Sequence, residues 1–191
     1  MKPGVRALGV AESYGARTDD GRPDRSTLAG VVCRADGTVD GFAFGSCTVG
    51  GLDSTEAAID LHERLDREDV QYVLVAGVAL AWYNLLDLTA VHEATDLPVI
   101  AVTFEDSDGL EPALADAFDG VALDRRLDRY RALPPRTEYG TDQGSLFLRS
   151  VGVDDPDVVI DHFSRAGRRP EPVRVARQAA RAADRWQRDE R

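Results

Sequence analysis

Lysine is all but missing from this chain: Lys2 is the only one, so 22 of the 23 basic residues are arginines. Acids outnumber them at 34, for a formal charge of −11. An acidic surface nearly free of lysine fits a protein adapted to high salt, where self-repulsion is screened within about 3 Å at 1 M. Arginine bias from a GC-rich genome is the competing account. Long apolar runs are missing too. No stretch reaches the roughly 18 apolar residues of a membrane-spanning helix. Met1-Lys2-Pro3-Gly4 leads straight into strand-like residues, without the apolar stretch of a signal peptide. A cytoplasmic protein with no membrane partner is the expectation.

Cysteine is scarce, with Cys33 and Cys47 alone. Asp36-Gly37 favours a two-residue hairpin, which sets Cys33 opposite Asp40 and Cys47 opposite Ser26. The two sulfurs are then far apart and serve as small core residues. No CxxC or clustered Cys/His spacing points to zinc. His62, His92 and His162 fall in predicted helices, with no partner at a metal-binding spacing. Phosphate-cradling glycine loops and serine-nucleophile motifs are likewise missing.

What is present is an α/β pattern in 191 residues, a length that suits one domain over 1–191 with a C-terminal extension from about residue 133. Val5–Glu12, Leu28–Arg34 and Val39–Val49 read as three adjacent antiparallel strands. A Gly/Asp/Arg-rich exposed loop follows the first of them, through Ser26. A helix opens near Asp53 with Ala58, Leu61 and Leu65 at helical spacing. Val70–Val75 is apolar on both faces, as a central parallel strand is. Asn84 is the expected cap of a second helix with a buried stripe of Leu88, Val91 and Ala94 or a near neighbour, and Leu97–Phe104 is a fifth strand. Helices over 110–118 and 122–132, a small hairpin ending near Val151, and helices over 155–165 and from Pro170 complete the chain. The order β-β-β-α-β-α-β-α predicts a ribonuclease-H-like mixed sheet: three antiparallel strands, then alternating α/β, with helices on both faces and further helices at the C-terminus. A doubly wound sheet is the alternative.

Sites in open α/β sheets lie beyond the carboxyl ends of the parallel strands. Three places qualify: Glu12, the pair Ala76-Gly77, and Glu105-Asp106-Ser107-Asp108. Carboxylates converging there could hold Mg²⁺ to activate water. Glu12 and Glu56 are the candidate catalytic carboxylates, and Glu12, Glu56 and Glu105 the candidate metal ligands. Each has a plainer reading: Glu12 as a strand-end residue, Glu56 as half of a capping box with Asp53-Ser54-Thr55, and Glu105 as part of an exposed acidic loop. Trp82-Tyr83-Asn84 could stack a base, or cover the core where the second helix begins. From Gly167 onward eight arginines face four acids, on a body that is otherwise strongly acidic. Arg168, Arg169, Arg174 and Arg177 around the last helix's start are candidates for phosphate binding; a solvated arginine-rich helix is the alternative.

Four stretches carry a resemblance to an archaeal protein family related to endonuclease V. They are Val5–Glu12, Gly51-Leu-Asp-Ser-Thr-Glu56, Val73–Gly77 with Trp82-Tyr-Asn84 and Asp87, and Gly167-Arg-Arg-Pro-Glu-Pro-Val-Arg-Val-Ala176. The resemblance implies a ribonuclease-H-like fold and kinship to Mg²⁺-dependent enzymes that cut nucleic acid near deaminated bases. It also implies acids at the positions of Ala11, Gly50 and Ala76, where this chain has none, and a Pro-Tyr wedge with no counterpart here. The resulting expectation is a protein with a dismantled metal centre that binds single-stranded nucleic acid or a nucleotide. An active Mg²⁺-dependent endonuclease on deaminated (inosine-type) nucleic acid is one alternative; a non-enzymatic regulatory or scaffold protein is the other.

Overall fold

Three strands precede the first helix: β1 (Arg6–Ser13), β2 (Arg25–Arg34) and β3 (Val39–Thr48). This computed structural model describes residues 2, 4–14, 24–141, 144–164 and 169–190. The middle of the chain runs α1 (Ser54–Leu65), β4 (Val70–Val75), a miniature hairpin of β5 (Ala79–Leu80) and β6 (Asn84–Leu85), α2 (Leu88–Thr95) and β7 (Val99–Thr103). It closes with α3 (Glu111–Ala117), α4 (Gly120–Arg131), β8 (Thr137–Thr141), β9 (Gly144–Val151), α5 (Pro156–Phe163) and α6 (Glu171–Asp189). Seven strands form one sheet in the order β3-β2-β1-β4-β7-β9-β8. Strands β1, β4 and β7 are mutually parallel, while the others pair antiparallel. This is the mixed sheet that the element order predicts.

Alternation along β1 sorts the layers. Leu8 and Val10 pack with Ala58 and Leu61 of α1 and with Leu88 and Val91 of α2. Ala7 packs on the opposite face with Val159, Ile160 and Phe163 of α5 and with Val173 of α6. The small-residue stripe of α6 puts Ala176 against Ala11, Val31 and Cys33. It brings the helix so near that a Cβ on Gly9 would lie 2.1 Å from the Pro172 carbonyl oxygen. Residues after 133 therefore complete the sheet and cover its second face.

Several local expectations need correction. Asn84 does not cap α2; Asp87 does, accepting from the Ala90 amide at 3.1 Å. Asn84 instead lies in β6, fully buried, and its Oδ1 accepts from the Ser54 amide at the start of α1, 3.0 Å away. The chain between Leu80 and Asn84 turns back as a hairpin rather than entering a helix, so the asparagine meets an earlier helix. Ala94 is exposed, leaving Leu88 and Val91 as the buried part of the α2 stripe. Cys47 faces Ser26 as expected, but a bulge after Val32 sets Cys33 opposite Val39 rather than Asp40. Both cysteines are free and buried, and burial pushes each thiol up to about 12, which leaves them unreactive. The exposed loop after β1 falls on 15–23, outside the described residues.

Candidate nucleic-acid binding cleft

The three strand ends open onto a single cleft of about 550 Å³, lined among others by Ala11 and Glu12 from β1, Ala76 and Gly77 after β4, and Thr103, Phe104 and Glu105 at the end of β7. That volume suits a nucleotide-sized ligand. The location follows from the sheet: β1, β4 and β7 run parallel, so their carboxyl ends share one edge.

Glu12 is the best-held acid in the cleft. Its Oε2 accepts from Ser26 Oγ at 2.9 Å. Burial raises its pKa above the ordinary carboxylate range, against the Ser26 and Ala81 hydrogen bonds and the charge of Arg177, while Asp184 adds a smaller upward push. A carboxyl with a raised folded-state pKa contributes stability below its unfolded pKa and loses that contribution as pH rises through the folded value. Glu12→Gln is therefore expected to be more stable than the parent at neutral pH, with the difference vanishing near pH ~4. Thermal melts across pH check this; equal melting temperatures at every pH would show that Glu12 is not held against burial.

The other acids part company. Glu105 lines the cleft, but Glu56 is exposed on α1 and does not line it. The capping box does not form either: the Asp53 side chain makes no cap hydrogen bond and accepts instead from the amide and hydroxyl of Thr48 and from Asn84. Among the described residues no three His, Cys, Asp or Glu side chains gather to hold a metal ion. Ala11 and Ala76 bring no carboxylate to the cleft they line, Ala11 being packed against Ala176, and the described residues there do not fit a two-metal centre.

Trp82 and Tyr83 both line the cleft, and Trp82 is 46% exposed. They sit on a backbone run that L-residues avoid, with φ of 41° at Ala81, 55° at Trp82 and 59° at Tyr83. Such a run costs about 1–2 kcal/mol per residue, so its surroundings must over-determine it. The β5–β6 hairpin pins both ends, and the Gly50 amide donates to the Ala81 carbonyl at 2.8 Å. The Trp82 ring packs 5.1 Å from Phe118, which carries the Arg126 guanidinium 3.7 Å above its centroid. The turn needs space as well: at Gly50 (φ +69°) a Cβ would lie 2.7 Å from the Trp82 ring. The two readings of the aromatic pair thus merge, since Trp82 packs on Phe118 and also presents itself to the cleft. Asn84, beside them, is wholly structural in its contacts.

Four arginines, Arg136, Arg149, Arg169 and Arg177, line the cleft. Arg169 stacks 4.4 Å from the Phe104 centroid. Burial, then the charges of Arg177 and Arg181, pull its pKa down. Among the described residues none of the four has a carboxylate within ion-pair distance. Arg174 turns away and pairs with Glu171 at 2.6 Å. Arg168 lies outside the described residues.

Arg136 and Arg149 escape a reading by local motif. Arg136 stacks 3.7 Å over Phe147 and donates to the Ser107 carbonyl at 2.8 Å. Arg149 sits opposite Ala101 because β9 pairs antiparallel with β7. The available signal was an arginine inside the apolar run Leu146-Phe-Leu-Arg149, a charge that a sheet face tolerates only beside a polar opening.

Residues 3–184 match the family described as Endonuclease dU. The chain belongs to the Endonuclease dU family. A UPF0215 protein of Pyrobaculum calidifontis is 37% identical over 177 residues, covering 91% of this chain and 93% of that one. Two solved structures share the fold. The endonuclease V of Bacillus subtilis has a TM-score of 0.65 at 16% identity, over 97% of this chain and 83% of its own. The endonuclease V of Ciona intestinalis, in complex with a 24mer DNA containing an inosine, has a TM-score of 0.55 at 10% identity, over 94% and 85%. The Endonuclease dU chain thus has archaeal relatives, and the mixed sheet that its element order predicts is the fold it shares with these endonuclease V structures.

Proposed function

We propose that this protein binds single-stranded nucleic acid or a nucleotide in the cleft and does not cut it efficiently. One observation carries the reading: in a chain of charge −11, four guanidiniums without carboxylate partners among the described residues share a nucleotide-sized cleft with an exposed tryptophan. Phosphates satisfy arginines of this kind with charge-assisted hydrogen bonds, and a base stacked on Trp82 adds about 1–3 kcal/mol. Glu12 orients by accepting from a ligand's N–H or O–H while Arg177 offsets its charge. The family name and the inosine-containing complex of the Ciona neighbour support deaminated nucleic acid as the class to try first. Lys2 as the sole lysine supports adaptation to high salt, and two buried free thiols suit the reducing cytoplasm. The described helices include none long and apolar enough to cross a membrane.

The test is a paired assay on single strands containing deoxyuridine or inosine, with Mg²⁺ or Mn²⁺ and with chelator, from low to molar salt. Binding independent of metal, weakened about 5- to 100-fold by Trp82→Ala, is the expected result. Metal-dependent cleavage abolished by Glu12→Ala would instead establish an endonuclease. No binding under any condition would favour the regulatory or scaffold alternative.

A further inference from the structure

Arginines recur along α6 at positions 174, 177, 181, 185 and 188, and the helix treats them unequally. Its two outer members are neutralised: Arg174 by Glu171 at 2.6 Å and Arg188 by Asp184 at 2.5 Å. Arg177, Arg181 and Arg185 have no hydrogen-bond or ion-pair partner among the described residues. Spacing of four residues places each about 6 Å further along the helix, with a sideways drift of only ~40° per step. They form one stripe. The buried face holds Val173, Ala176, Ala180 and Asp184, and the stripe runs from its edge, at half-buried Arg177, out to exposed Arg181 and Arg185. Arg177 lines the cleft together with Arg169, so the stripe begins at the cleft, and the charges of Arg177 and Arg181 both act on Arg169.

We infer that a single strand leaving the cleft runs along α6, with successive phosphates taken by Arg177, Arg181 and Arg185. This rests on the cleft reading above and extends it from one nucleotide to a polymer. A rise of about 6 Å between guanidiniums is of the order of the phosphate separation in an extended strand, so consecutive contacts are possible without bending either partner. Like charges gathered on a helix of an otherwise acidic protein repel one another. A polyanion at that pitch relieves the repulsion, whereas a lone anion would relieve it at one position only. An acidic peptide offers carboxylates too, but not bases to stack on Trp82, which lines the same cleft as Arg177. Nucleic acid is therefore the occupant.

The experiment compares the parent protein, Arg181→Gln with Arg185→Gln, and a control with Arg64→Gln and Arg125→Gln that removes the same charge elsewhere. Each is titrated with an oligothymidylate of roughly ten nucleotides, within the usual site size of single-strand binders, and with a dinucleotide, across salt concentrations. The α6 pair is expected to keep its dinucleotide affinity but lose affinity for the longer strand. Its slope of log K against log salt should be shallower by about 1.4, because each single-strand phosphate contact contributes about 0.7. The control should keep the parent's slope. If the parent binds the longer strand and the α6 pair matches it in affinity and slope, the path along α6 is wrong while the cleft stands. If the longer strand binds no tighter than the dinucleotide in the parent, the path is equally refuted. Failure of the parent to bind either ligand removes the cleft reading itself. Circular dichroism on the exposed-site variants separates loss of binding from loss of helix.

Discussion

Gly9→Ala is expected to destabilise this protein by about 3 kcal/mol or more, at the upper end of what overpacking does. The added methyl would sit 2.1 Å from the Pro172 oxygen, 2.2 Å from its carbonyl carbon and 2.8 Å from its Cα. These are backbone atoms, so no side-chain rotamer can move aside. Either β1 or the first turn of α6 must retreat by more than an ångström, and both are built into the core through Leu8, Val10, Val173 and Ala176. Alanine gains roughly 0.5–1 kcal/mol over glycine in backbone entropy, which is too little to compensate. In a chain of this size each kcal/mol shifts the melting temperature by about 2–4 °C, so a drop of roughly 6–12 °C is expected by calorimetry. A shift under about 2 °C would mean that the helix does not rest on the strand so closely. The consequence reaches the cleft: α6 carries Arg177 and comes directly after Arg169, so the surviving folded fraction should also bind single strands less well.

Asn84→Ala is expected to be comparably damaging, by about 3–4 kcal/mol, for the opposite reason. It leaves groups unpaired rather than overcrowded. Asn84 Nδ2 donates to the Thr48 carbonyl at 2.8 Å and to Asp53 Oδ1 at 2.7 Å, and Oδ1 accepts from the Ser54 amide at 3.0 Å. Ser54 and Asn84 are both fully buried, so water cannot replace these bonds. Asp53 depends on the same network. Burial pushes its carboxyl up, yet the donors from Thr48 and Asn84 outweigh that and hold it below the ordinary range. Its contribution to stability is present above its unfolded pKa and fades as pH falls through the lower folded value. The truncation should therefore cost most near neutrality and less in acid. Denaturant unfolding at both pH values checks this; a cost below about 1 kcal/mol at neutral pH would show that the loop from Thr48 to Ser54 is held by other means.

Both positions show where local pattern stops being informative. The alternation in β1 and the doubly apolar β4 place these strands correctly because burial on one or two faces leaves a repeat of two, or none, in the residues themselves. The α6 boundary is equally legible, since Pro170 and Pro172 suit a helix start and Ala176 and Ala180 a close-packed face. Asn84 misleads because an asparagine before an apolar stretch looks like the cap of a helix beginning there. Only the return of the β5–β6 hairpin shows that it caps the helix opening 30 residues earlier. Glu56 misleads in the same way. First-turn position on α1 is a local fact, but proximity to Glu12 depends on how α1 lies across the sheet.

The amino-acid sequence by itself determined the element order and the mixed sheet, because each is written in residue types at short range. Tertiary structure alone decided which side chains share the cleft. It drew in Arg136 from beyond Pro134-Pro135 and Arg149 from an antiparallel neighbour of β7, left Glu56 outside, and set Trp82 on a left-handed turn beside Gly50. The physical reason is that periodicity records what each residue buries, whereas a site is made where chain segments far apart in sequence come to the same edge of the sheet.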